Sequence, residues 1–324
     1  MHLGNGAITP ECGIVALGAA AAGAGIAWAS ARALGLDKGQ ARTAGALGAA
    51  VFAAQLFNVQ VLPFSSVHLI GGVLLAWVLG PALGLLTMAS VLTLQAVVLG
   101  DGGLLELGAN ILNMGVLPAL AVACLKRWTI ESGAVSKALM LGSTAAACTL
   151  AAALMIVLEV AVGRSAAQSE GLSAFASQMI WNHALAGVLE GTLSVAIVGV
   201  LVGFGRQQGL ARRFSPARAA SVLAASFAVA LVSVPSLGLT SAAPDGYEAA
   251  LATIGQSGHA LARIEAAPQL AGIGAAAQAW QEAIVSSFAG PEAMLLVLST
   301  LAAGAAAWGC ARFCAKAEWQ TVRR

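Results

Sequence analysis

Charge is what this 324-residue sequence has least of: Asp, Glu, Lys and Arg make up 9% of it, against about a quarter in soluble domains. With 59% of side chains hydrophobic, that scarcity excludes a soluble globular protein and points to a polytopic membrane protein. Catalytic signatures are missing too. There is no GxSxG elbow, no HExxH, no carboxylate pair at working spacing and no GxxxxGK[ST] phosphate loop. The expectation is therefore a chain with no enzyme activity, no ATP hydrolysis and no intrinsic cofactor. The start lacks the basic stretch and small-residue cleavage site of a secretory signal. An unprocessed N-terminus is expected, with Met1 retained because His2 is bulky. Cys12, Cys124, Cys148, Cys310 and Cys314 are odd in number and scattered, which argues against a disulfide framework. Cys310 and Cys314, at i, i+4, suit either a soft metal or small buried helix positions. The net charge of +2 carries no signal for a nucleic-acid partner.

What is present is apolar sequence in runs long enough to cross a hydrocarbon core of roughly 30 Å as helices. Nine spans are predicted, at 13–32, 43–62, 66–80, 82–99, 107–125, 138–162, 176–204, 219–237 and 291–314. The third is short and follows Pro63, which predicts irregular backbone lining a protein cavity. Basic residues concentrate on the cytoplasmic side of membrane proteins. With the N-terminus outside, fourteen of the sixteen Lys and Arg fall inside, all but Arg164 and Arg263. The chain is thus expected to be a multi-pass protein of the inner (plasma) membrane, N-terminus outside and C-terminus cytoplasmic, with lipid around it. The predicted architecture is all-α: a seven-helix membrane domain (1–205), a cytoplasmic linker (206–218), and a two-helix hairpin (219–324) with an external segment at 238–290.

Only four histidines occur, His2, His68, His183 and His259, and topology puts His2 and His68 on the same outer face. A free amine at Met1, the His2 amide nitrogen and His2 Nδ1 can chelate one ion through a five- and a six-membered ring. That leaves an in-plane position which an imidazole such as His68 would complete. Four nitrogens in a square suit Ni(II) or Cu(II), with Co(II) admissible, and disfavour Zn(II). The plainer reading is an incidental surface histidine and an interfacial one.

His183 and Glu190 share a face within a membrane span and suit either a proton-coupled transport path or an interhelical polar contact. Asn110 and Asn113, at i, i+3, suit either orienting ligands behind a metal or interhelical hydrogen bonding, and Gln95 is a further candidate behind the ligands. Ala19, Gly23 and Ala27 make a small-residue stripe for a docking subunit or for ordinary tight packing. A membrane sensor or structural subunit remains a rival from another class.

The segments MHLGNGAITPEC, SSVHLIGGVLLAWVLGP and LQAVVLGDGGLLELGANILNMGVLPAL, in that order, resemble the CbiM/NikM family. These are substrate-capture (S) components of cobalt and nickel energy-coupling-factor ABC transporters. The resemblance implies capture of Co(II) or Ni(II) by the Met1 amine, the amide and imidazole of His2, and His68. It also implies a transmembrane coupling subunit and two ATPase subunits on other chains. The C-terminal part is similar to the auxiliary CbiN/NikN module, through Pro244-Asp245-Gly246-Tyr247-Glu248, where Tyr replaces the usual Leu of PDGLE. Asn5 likewise stands where relatives commonly carry an acid.

Overall fold

The computed structural model describes residues 2–36, 38–62, 65–162, 169–206, 243–256, 271–287 and 292–315. The predicted span 219–237, most of the linker, Met1, His259 and the side chain of Cys314 lie outside the described residues. The fold is an all-α polytopic bundle. Five helical stretches among the described residues are long and apolar enough to cross a membrane: Pro10–Leu34, Pro81–Leu99, Leu107–Leu125, Ala134–Ala161 and Gly171–Val202.

Helix α1 (Pro10–Leu34) starts where Thr9 accepts the Cys12 N–H with Pro10 in the first turn, and it stops at Gly35 in the left-handed region. Its inward stripe is Ala16, Ala20, Ala27 and Ala31. Gly23 lies against Val116 and Ala27 is buried, while Ala19 is exposed. The expected Ala19/Gly23/Ala27 stripe is thus turned largely into the chain itself. Large apolar side chains such as Val15 and Ile26 face outward, as lipid-facing surface does.

Helix α2 (Lys38–Gln55) ends earlier than the expected span. Strands β1 (Val59–Leu62) and β2 (Ser65–Val67) then form an antiparallel hairpin pairing Val59 with Val67 and Gln60 with Ser66. Val59 and Val61 are β-branched and fit a strand better than a helix end. The short third span is helix α3 (Gly72–Leu79), which turns at Gly80 into α4 (Pro81–Leu94). A Cβ on Gly84 would sit 2.5 Å from the Ala76 backbone, so this tight helical hairpin requires glycine. A π-helical turn, Gln95–Leu99, ends α4 at Gly100. Helix α5 (Leu107–Ile111) runs through a second π turn, Leu112–Val116, into α6 (Leu117–Glu131).

Helices α7 (Ala134–Ala161) and α8 (Ser169–Arg206) cross where a Gly191 Cβ would lie 2.5 Å from the Gly142 carbonyl. The segment expected as a polar insert contains two helices, α9 (Gly246–Gln256) and α10 (Ala271–Ser287). The last helix, α11 (Glu292–Ala315), carries Cys310 and Cys314 and joins the bundle directly. It meets α2 through Gly45, Gly48 and Gly304, with Ala303, Ala307 and Ala311 fully buried. Among the described residues Cys12, Cys124 and Cys148 form no disulfide.

Candidate metal centre

The chain ahead of α1 is not a loose tail. His2, Leu3, Ile8 and Thr9 are buried in a receptacle built largely by the loop from Gly100 to Glu106 and the start of α5. Asn110 accepts the Leu3 N–H at 2.9 Å and donates to the Leu3 carbonyl at 3.2 Å, and Gly103 N–H reaches the same carbonyl at 2.9 Å. Glu106 accepts the Gly6 N–H at 2.8 Å. Gly102 has φ +91, and a Cβ there would stand 3.0 Å from Asn110 Nδ2 and 3.5 Å from His2 Cβ. Asp101 completes the set, its Oδ1 3.2 Å from His2 Nδ1. The DGGLLELGAN block is therefore a docking surface for residues 2–8.

His68 follows β2, and its Nδ1 lies 3.1 Å from the Leu69 carbonyl. A carbonyl only accepts, so the proton sits on Nδ1 and the lone pair is on Nε2. Burial first, then neighbouring positive charge, lowers the His68 pKa to about 4, so the ring is neutral at pH 7. Burial works against ionisation of Asp101, yet the charge and hydrogen bond of His2 bring its pKa down to about 2. Burial also raises the Glu106 pKa, to about 7 against the backbone N–H groups that favour its anion.

The rings of His2 and His68 are 5.7 Å apart and 8° from parallel. Two imidazoles on adjacent corners of one square-planar ion, with bonds of about 2 Å, have ring centres roughly 4–5 Å apart, and each ring plane contains the ion. The stacked pair stands about 1 Å wider than that, so the rings turn and close together when they share one ion. Among the described residues no group of three His, Cys, Asp or Glu side chains is placed to hold an ion.

The segment 243–256 caps this end. Ser66 donates its N–H to the Pro244 carbonyl at 2.9 Å and its hydroxyl to the Ala243 carbonyl at 2.7 Å, next to His68. Asp245 accepts the N–H groups of Tyr247 and Glu248, both at 2.9 Å, and Glu248 reaches back to the Asp245 N–H at 3.2 Å. This is a capping box that starts α9. Gly246 is needed for close approach, since a Cβ would lie 2.9 Å from His183 Cε1. Tyr247, the departure from the usual Leu, packs edge-on against Phe175 at 5.9 Å. From α10, Gln281 accepts from Asn5 at 2.8 Å and donates to the carbonyls of Ala96 and Gly102 at 2.8 and 2.7 Å. Asn5, the other departure, thus has a partner on the C-terminal segment.

The remaining candidates divide. Asn110 holds Leu3, whereas the wider π turn carries Asn113 round to donate to Glu159 of α7 at 2.9 Å. Gln95 is fully buried in the first π turn, and neither polar atom of its side chain has a partner among the described residues. His183 bonds through Nδ1 to the Met179 carbonyl at 2.8 Å, one turn back on α8. Glu190 instead accepts the N–H groups of Ile70 and Gly71. The two share no hydrogen bond. Asp101, Glu106 and Gln281 were not singled out from the sequence, and Asp245 was named there only as part of the PDGLE-like motif. The available signal was acids placed beside glycines in a chain holding only 14 Asp and Glu.

Spanning helices around an end site of buried imidazoles and a clamped N-terminal segment define a membrane protein that binds at one end of its bundle. The chain belongs to the CbiM family, cobalt uptake substrate-specific transmembrane region, whose model matches residues 2–207. It is thereby a membrane component of transition-metal transport. A protein of Haloquadratum walsbyi named for metal transport is 34% identical over 200 residues, 61% of this chain and 88% of that one. The fused nickel transport protein NikMN of Rhodobacter capsulatus is 30% identical over 114 residues, 34% of this chain and 33% of that one. A crystal structure of a transition metal transporter superposes with a TM-score of 0.56 at 25% identity, covering 65% of this chain and 97% of that one.

Proposed function

We propose that this chain is the substrate-capture component of an energy-coupling-factor transporter for Co(II) or Ni(II), taking the ion at the outer face and delivering it inward. The ligands are the Met1 amine, the His2 amide and Nδ1, and His68 Nε2. Four nitrogens, one of them a deprotonated amide, favour a square plane and with it nickel or cobalt over zinc. Loading exchanges Asp101 for the metal at His2 Nδ1. Asn110, Gly103 and Glu106 fix the main chain of Leu3 and Gly6, so the chelating arms are held rather than searching. The observation that carries the reading is that His2 and His68 are both buried, with ring centres 5.7 Å apart, next to the motif that clamps residues 2–8.

By resemblance, a transmembrane coupling subunit and two ATPase subunits on other chains drive the cycle, and this chain performs no catalysis. The membrane is the inner, plasma membrane, with the N-terminus outside and the C-terminus in the cytoplasm. Residues 243–256 and 271–287 stand over the loaded end as the auxiliary module. The test is acetylation of the Met1 amine, which removes one chelating nitrogen while keeping His2 second, with the free terminus verified by mass in the control. Ni(II) binding by titration and uptake in cells are both expected to be lost. Unaltered binding with the acetylated terminus would refute the chelate.

A further inference from the structure

A carboxylate buried midway along a membrane helix needs a reason, and the bonds of Glu190 give one. It lies on α8, 3% exposed. Its Oε2 accepts the Ile70 N–H at 2.6 Å and its Oε1 the Gly71 N–H at 2.7 Å, one oxygen to each of two successive amides. Those amides converge because Gly71 has φ +79, a conformation any side chain would oppose: a Cβ would lie 2.6 Å from Val51 Cγ1. From the opposite side, Gln55 Nε2 of α2 donates to the Ile70 carbonyl at 2.7 Å. The segment that leaves His68 for α3 is thus gripped by two helices.

We infer that Glu190 is a positioning residue for His68: by fixing the amides of Ile70 and Gly71 it sets the Leu69 carbonyl, which holds the His68 Nδ1–H and turns Nε2 toward the ion. This rests on the reading of His68 as a ligand. The logic is that of metal-bound histidines whose second nitrogen is oriented by a backbone carbonyl, extended one layer outward. Only a carboxylate can accept from both amides. A glutamine of the same length would set its NH2 group against one of the two N–H donors.

The experiment is Ni(II) titration of the purified full chain carrying Glu190→Gln, in two backgrounds. In the native background the affinity is expected to fall by about 10–100-fold. The second background has one Ala inserted between Met1 and His2. Amine, two amides and imidazole then supply four nitrogens without His68, and Glu190→Gln is expected to leave affinity within about twofold, as a contact acting only through His68 should. Equal losses in both backgrounds would show general damage to the fold and overturn the assignment. No loss in the native background would also overturn it, while the ligand reading stands if His68→Ala removes binding there. If His68→Ala leaves native binding intact, the reading fails and the assignment with it. Should Glu190→Gln not fold, Gln55→Met tests the grip from the other helix, with a smaller loss expected in the native background alone.

Discussion

Asn110 grips the backbone of Leu3 from both sides, accepting its N–H at 2.9 Å and donating to its carbonyl at 3.2 Å across 107 residues of sequence. Both bonds are buried, so breaking one leaves a polar group without water. Asn110→Asp keeps the acceptor but sets a carboxylate oxygen against the Leu3 carbonyl. The expected cost to the docked segment is about 1–3 kcal/mol. At about 1.4 kcal/mol per tenfold, Ni(II) affinity measured by titration is expected to fall roughly 5- to 100-fold.

Glu106 makes docking of the N-terminal segment pH-dependent. Burial lifts its pKa to about 7, above the unfolded value of about 4.3. Between those values the folded chain holds more protons than the unfolded one, so the contribution of this group falls as pH rises through the window. The metal-free protein is expected to melt higher at about pH 5 than at about pH 8, each kcal/mol being worth roughly 2–4 °C. Glu106→Gln is expected to remove that part of the pH dependence. Matching pH profiles for the two proteins would contradict it.

The bundle was legible in the sequence because apolar length responds to the membrane that shapes the helices. His2 and His68 were legible as a pair only through topology, which put both at one end. The hairpin at 59–67 was not, because a short apolar run such as Val59-Gln60-Val61-Leu62 reads alike as helix end or strand. The π turns were also hidden, since their extra residue leaves composition unchanged while redirecting Asn113 to Glu159. Asp101, Glu106 and Gln281 act on a segment about 100 or more residues away, a relation that spacing does not carry.

Gly246 and Tyr247 separate what the segment at 243–256 requires from what it tolerates. Gly246→Ala would drive a methyl group to 2.9 Å from His183 Cε1 and 3.2 Å from Asn182 Cβ. A loss of about 1–3 kcal/mol and reduced uptake are expected. Tyr247→Leu restores the common residue of the motif and forfeits the edge contact with Phe175, about 0.5–1.5 kcal/mol, with uptake near native. Thermal melts and metal accumulation in cells check both.

Gln95 is fully buried, and among the described residues both polar atoms of its side chain are unpartnered. Replacement by Met, of similar length, removes that desolvation cost and is expected to stabilise the metal-free protein by about 1–2 kcal/mol. A lower melting temperature would instead assign Gln95 a polar partner.

The central claim is that His2 matters because it is second. Inserting one Ala between Met1 and His2, with and without His68→Ala, tests it by Ni(II) titration and cell uptake. The native chain is expected to lose binding with His68→Ala. The insertion variant is expected to bind whether or not His68 is present, and to fail in transport. If His68→Ala still removes binding from the insertion variant, the chelate account is contradicted.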